Sequence, residues 1–65
     1  MNRIKEVLGE KGIKQTWLAE KLGKSYTMVN SYVQNRRQPS LEVLRQVAWL
    51  LDVDVRQLIV RTKHA

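Results

Sequence analysis

The sequence has no cysteine, a single proline (Pro39) and a single histidine (His64) in 65 residues. Without thiols, no disulfide, thiolate nucleophile or cysteine-based zinc site can form, and one histidine beside the C-terminus makes a poor start for a metal centre. No metal or cofactor is therefore expected. Long apolar runs are missing as well. The longest, Val47-Ala48-Trp49-Leu50-Leu51, is far below the roughly 20 residues needed to cross a bilayer. The opening Met1-Asn2-Arg3-Ile4-Lys5-Glu6 lacks the apolar stretch of a signal peptide, so export is not indicated and a cytoplasmic site is expected. Acidic residues are scarce: six Asp and Glu stand against twelve Lys and Arg, a net charge of +6. So much positive charge on so short a chain points to a polyanionic partner, either nucleic acid or an acidic membrane face.

A chain of 65 residues holds at most one domain, and on folding such a chain removes only about 60% of its unfolded surface from water. Its 43% apolar content must then be packed efficiently in helices or helped by a partner chain, so self-association is in view from the outset.

The apolar residues recur at helical spacing throughout. Ile4, Val7 and Leu8 share one face of a first helix ending near Lys11-Gly12. Leu18, Ala19 and Leu22 do the same in a short second helix that Gly23 can stop in the left-handed conformation. Ser25 is a competent N-cap for a third helix with Met28, Val29, Tyr32 and Val33 on its apolar face, and Asn35 tolerates a left-handed terminus nearly as well as glycine. After the polar, basic Arg36-Arg37-Gln38-Pro39 loop, Ser40 caps a fourth helix with a stripe of Leu41, Leu44, Val47, Ala48 and Leu51, and Glu42 suits its positive first turn. Asp54 with Gln57 resembles a capping box opening a fifth helix that turns Val55, Leu58 and Ile59 inward. No segment alternates with the period of a strand. The expected fold is all-α: a compact domain of five helices at about 2–11, 15–22, 26–34, 40–51 and 55–60, with a frayed tail over 61–65.

Gln15 to Gln34 holds two short helices joined by a tight glycine turn, the geometry of a helix-turn-helix. Ala19 is small where the helices cross, and Leu18, Leu22, Val29 and Tyr32 fill the angle between them. Any compact helical hairpin would meet these packing needs. A fuller pattern separates the two: Lys11-Gly12-Ile13, Gln15-Thr16-Trp17-Leu18-Ala19-Glu20-Lys21-Leu22-Gly23, Val29 with Tyr32, Pro39-Ser40-Leu41, and Ala48 through Leu51 followed by Val53 and Val55. In this ordered set, from Ile4 to Leu58, the chain resembles the Cro and lambda-repressor type of helix-turn-helix domain, the XRE family.

The resemblance implies that the helix beginning near Ser25 lies in the DNA major groove, with Tyr26, Thr27 and Ser31 at the base-reading positions and Asn30 alongside. Asn can pair with adenine, Ser and Thr can bond to either base type, and Thr or Tyr can touch a thymine methyl. Gln15 takes the position of a phosphate clamp at a helix N-terminus. Lys14 is a poor N-cap that opposes the helix dipole, which is sensible where an anion docks. Gln34, Asn35, Arg36, Arg37 and Gln38 match the loop gripping the backbone across the groove, with Lys24 and Ser25 at the opposite end. Between Glu20 and Glu42 there are four basic residues and no acid. The partners implied are double-stranded DNA and a second copy of the chain, bound as a dimer on a palindromic operator.

Two departures from the family pattern stand out. Leu8 and Val33 replace an ion pair that many members carry, a matched exchange that leaves no stranded charge. Asn35 stands where glycine is usual. Two tryptophans, Trp17 and Trp49, fall at outward positions where members carry polar residues. Trp49, with Val43 and Leu50, is a candidate dimer or partner surface; Trp17 is left without a role. A transcriptional regulator, expected to repress by occupancy, therefore competes with a protein-interaction module, such as an antitoxin that also represses through its helix-turn-helix. The scattered carboxylates Glu6, Glu10, Glu20, Glu42, Asp52 and Asp54 form no nucleophile–base pair or metal cluster, so an enzyme is not expected. No helix sets a broad basic face against a bulky apolar one, which disfavours a membrane binder. No small-molecule ligand is expected.

Overall fold

The computed structural model describes residues 1–60, and the tail expected over 61–65 lies outside them. The chain forms α1 (Ile4–Lys11), α2 (Gln15–Leu22), α3 (Tyr26–Val33), α4 (Leu41–Leu51) and a closing 3₁₀ turn (Val55–Leu58). Each boundary has a local cause. Ser25 Oγ accepts a hydrogen bond from the Met28 amide at 3.1 Å and Ser40 Oγ one from Val43 at 3.2 Å, capping α3 and α4 as expected. All four helices end with a left-handed residue: Gly12 at φ 66°, Gly23 at φ 68°, Asn35 at φ 60° and Asp52 at φ 56°. Behind each, the next amide reaches back across the last turn, as Ile13 does to Leu8 at 3.0 Å and Val53 to Ala48 at 3.0 Å. Glycine makes two of these stops free of strain; Asn and Asp are the other residues that tolerate them.

The expected fifth helix is replaced by the single 3₁₀ turn. Only four residues separate its cap, Asp54, from Ile59, whose backbone is already extended at φ −111° and ψ 130°. The reciprocal cap itself is present, with the Asp54 amide donating to Gln57 Oε1 at 2.9 Å and Asp54 Oδ1 accepting from the Arg56 amide at 2.8 Å. Ile59 is consequently not an inward residue. It is 40% exposed and forms one antiparallel bridge with Asn2. Leu41 also departs from its expected place on the buried stripe, being 53% exposed at the first position of α4, ahead of the buried residues of that helix, which begin at Val47.

One core holds the elements together. Ile4, Val7 and Leu8 from α1 meet Leu18 and Ala19 from α2, Val29, Tyr32 and Val33 from α3, Val47, Ala48 and Leu51 from α4, and Leu58 from the closing turn. Leu8 and Val33 are both buried in it, so the matched apolar exchange is satisfied by packing.

Asp54 adds a small pH dependence. The Arg56 side chain bonds to it, the Arg56 amide does so as well, and together they hold its carboxyl below the ordinary range. A depressed folded-state value adds stability above the unfolded pKa, which is lost as the pH falls through the folded one. Asp54→Asn keeps a capping side chain and removes the charge. Thermal melts between about pH 3 and 6, the range in which carboxylates titrate, are expected to fall less steeply for this variant than for the wild type.

Candidate nucleic-acid interface

The turn at Gly23 folds α2 back onto α3, and the fully buried Leu18 and Val29 lock their crossing. This packing turns the opposite face of α3 to solvent. Tyr26, 51% exposed, and Thr27 are open at its N-terminal end, while Asn30 and Ser31, one turn on, are half-buried. The spacing places all four on one helical face.

Two of the four carry internal bonds that sequence reasoning did not anticipate. Asn30 Oδ1 accepts from Gln15 Nε2 at 3.0 Å, so the first residue of α2 braces a side chain in the middle of α3. The bond engages one lone pair of the Asn30 oxygen. Ser31 Oγ donates to the Met28 carbonyl at 2.6 Å, the back-bonding usual for a serine inside a helix. Its proton is occupied, leaving the hydroxyl as an acceptor.

Around this face the charges are open. Lys14 is the N-cap residue of α2 but makes no side-chain cap, and the first turn contains no acid. The positive end of that helix is thus uncompensated by the protein. Lys24 is half-buried at the start of the turn into α3, beside the exposed Ser25. At the other end of α3, the exposed Arg36 and Arg37 have their amides bonded to the Ser31 carbonyl at 2.9 and 3.2 Å, and Gln34 is exposed next to them. Ion pairs among the described residues are Arg3–Glu6 and Arg56–Asp54; no basic residue of this face takes part in one.

Asn35 and Gln38 differ from the rest of the candidate phosphate set, because both are tied to the interior. Asn35 Oδ1 accepts from the Asn2 amide at 2.8 Å and Gln38 Oε1 accepts from Asn2 Nδ2 at 3.2 Å. Asn2 was not among the expected site residues. A signal did exist: an Asn just before a helix whose own N-cap, Arg3, makes no side-chain cap is a candidate for the missing bond, and Asn2 Oδ1 does accept from the Ile4 amide at 3.0 Å.

Away from this face, Trp49 is 81% exposed on α4, with Val43 and Leu50 half-buried and packed against the core. A shallow groove beside it is lined by Lys21, Leu22, Glu42, Arg45, Gln46, Trp49 and Leu50. Trp17 is 38% exposed, with the Lys21 ammonium 5.9 Å from its ring centre, a distance at which a cation is attracted to the ring face. Among the described residues, no helix is long and apolar enough to cross a membrane, and no group of His, Cys, Asp or Glu is placed to hold a metal ion.

A crossed helix pair joined by a glycine turn, one helix face open and basic residues at both its ends define a helix-turn-helix module. Comparison with known proteins agrees. The helix-turn-helix family model matches residues 4–58, and the chain belongs to that family, of the XRE type. A solved structure of a "putative DNA-binding protein from Bacteroides fragilis" is similar over 89% of this chain and 94% of its own, with 52% sequence identity and a TM-score of 0.88. A search of curated proteins returned no match.

Proposed function

We propose that the protein is a sequence-specific, double-stranded-DNA-binding transcriptional regulator that represses by occupancy, working in the cytoplasm as a homodimer on a palindromic operator, without cofactor or catalysis. The observation that carries this reading is the open polar face of α3 between two sets of basic residues that form no ion pair with a described residue, on a family fold of which one solved structure is titled as that of a DNA-binding protein. Tyr26, Thr27, Asn30 and Ser31 would read base edges. Arg36 and Arg37, with Lys14, Gln15, Lys24, Ser25 and Gln34, would hold phosphates. Asn35 and Gln38 belong to the same loop but act chiefly through their internal bonds.

Thr27 provides the test. Its exposed hydroxyl and methyl make no bond to the described residues, so Thr27→Ala is expected to leave stability within about 0.5 kcal/mol and random-duplex affinity unchanged. Affinity for the selected cognate duplex should fall by the roughly 1–3 kcal/mol of a base contact. Equal weakening of both duplexes in a titration would sink the base-reading assignment. Ser31→Ala should have a smaller effect, its proton being engaged within α3.

Trp49 supports the dimer, since a ring 81% exposed is a large apolar surface left to water. Dimeric helix-turn-helix proteins read half-sites about 34 Å, one turn of the duplex, apart. Trp49→Glu is expected to shift sedimentation toward the monomer and to weaken binding to a full palindrome, leaving a single half-site bound as before. The same ring favours a second reading, in which α4 holds a different protein, as an antitoxin holds its toxin. A Trp49→Glu chain that keeps its oligomeric state but loses a copurifying partner would select that reading.

A further inference from the structure

Asn2 is the one buried polar residue among those described, 4% exposed, and its backbone and side-chain polar atoms are all bonded. Capping α1 accounts for a single bond, the one from the Ile4 amide to Oδ1. The others run to the last turn of α3 and to the segment that follows it. Asn2 Nδ2 donates to the Tyr32 carbonyl at 2.9 Å and to Gln38 Oε1 at 3.2 Å. The Asn2 amide donates to Asn35 Oδ1 at 2.8 Å, and Asn35 Nδ2 donates back to the Asn2 carbonyl at 3.2 Å. Gln38 Nε2 closes the ring on Asn35 Oδ1 at 3.1 Å. Asn2 is itself held from behind, because the adjoining Arg3 amide donates to the carbonyl of the fully buried Leu58 at 2.9 Å.

The residues clasped are the two that bracket Arg36 and Arg37. Asn35 precedes the arginine pair, Gln38 follows it, and both ends of the loop are thereby fixed to a point on the core. Helix termination requires only that residue 35 accept φ 60°, which glycine does more easily; the side chain of Asn35 has a different use. We propose that Asn2 is a positioning residue for DNA binding: through Asn35 and Gln38 it holds the Arg36–Arg37 loop in its binding geometry before DNA arrives, so that less freedom is lost on contact. This rests on the reading of that loop as a phosphate grip.

The experiment uses the full chain and a labelled duplex of random sequence, titrated at several salt concentrations, with a thermal melt of each variant. Asn35→Gly keeps the left-handed stop and deletes the clasp, and Gln38→Ala removes its other arm without adding a glycine. Both are expected to lower the melting temperature, because polar groups of the buried Asn2 lose partners. With the unfolded fraction allowed for, both should bind about three- to tenfold more weakly, the scale of ordering one long side chain at an interface, with salt slope unchanged because both arginines still meet phosphates. Asn2→Ala with Asn35→Gly should be no weaker than the poorer single variant, since both break one device. If Asn2→Ala does not fold, the other two variants decide. The proposal is overturned if Asn35→Gly and Gln38→Ala bind like the wild type, or if their losses track only the unfolded fraction, while Arg36→Ala still weakens binding. A folded wild-type chain that binds no duplex would overturn the phosphate-grip reading itself, a different result.

Discussion

Replacing Arg36 and Arg37 together with alanine is expected to weaken binding to every duplex, cognate or random, by about a hundredfold. Each guanidinium would lose a charge-assisted bond to phosphate, worth at least about 1.5 kcal/mol, and every 1.4 kcal/mol is a factor of ten. The slope of log affinity against log salt should fall by about two, one released counterion per arginine. Folding should be nearly untouched. Both side chains are exposed, neither forms an ion pair with a described residue, and among the described residues their side-chain hydrogen bonding is limited to Arg37 with the Met28 sulfur at 3.7 Å. Titration against both duplexes across salt checks the result. A loss confined to the cognate duplex would place the arginines among base-reading residues and displace the phosphate grip elsewhere.

Leu18→Ala is expected to cost the domain much of its stability. Leu18 is fully buried where α2 crosses α3, and a Leu→Ala cavity in a core costs about 2–5 kcal/mol. A domain of 65 residues has only roughly 3–10 kcal/mol in total. The variant should be partly or wholly unfolded at 25 °C and should lose both kinds of DNA binding together, in contrast with Thr27→Ala. Urea unfolding followed by circular dichroism measures it. A loss below about 1 kcal/mol would mean that the α2–α3 crossing does not depend on this side chain.

The helices were legible because their causes are local. Gly12 and Gly23 mark their own turns, Ser25 and Ser40 their own caps, and the i, i+3, i+4 apolar spacing picks out the residues found in the core. Asn35 as a left-handed stop was readable for the same reason. Asp52 was not, because aspartate more often signals a helix start than its end. Ile59 continued an apolar pattern after the backbone had already become extended, and Leu41 lay on the stripe but past the edge of the core. Periodicity carries no information about either circumstance.

The candidate site divides along the same line. Tyr26, Thr27, Arg36 and Arg37 were singled out from their position in the motif, and all four are exposed. The internal bonds were out of reach. Asn2 meets its partners across 33 and 36 residues, and Gln15 meets Asn30 across 15; hydrogen bonds between polar side chains leave no periodic trace. Those bonds change the account of the site. Asn30 is bonded to Gln15, Ser31 to the Met28 carbonyl, and Asn35 and Gln38 to Asn2 on either side of the exposed Arg36 and Arg37.

The central claim, that the open face of α3 reads DNA sequence, is tested most directly by selecting bound duplexes from a random library with the wild-type chain and with Thr27→Ala. The account predicts one enriched palindromic motif for the wild type, with preference relaxed at a single symmetric pair of positions in the variant. Binding without enrichment of any sequence, or a motif left identical by the substitution, would contradict it.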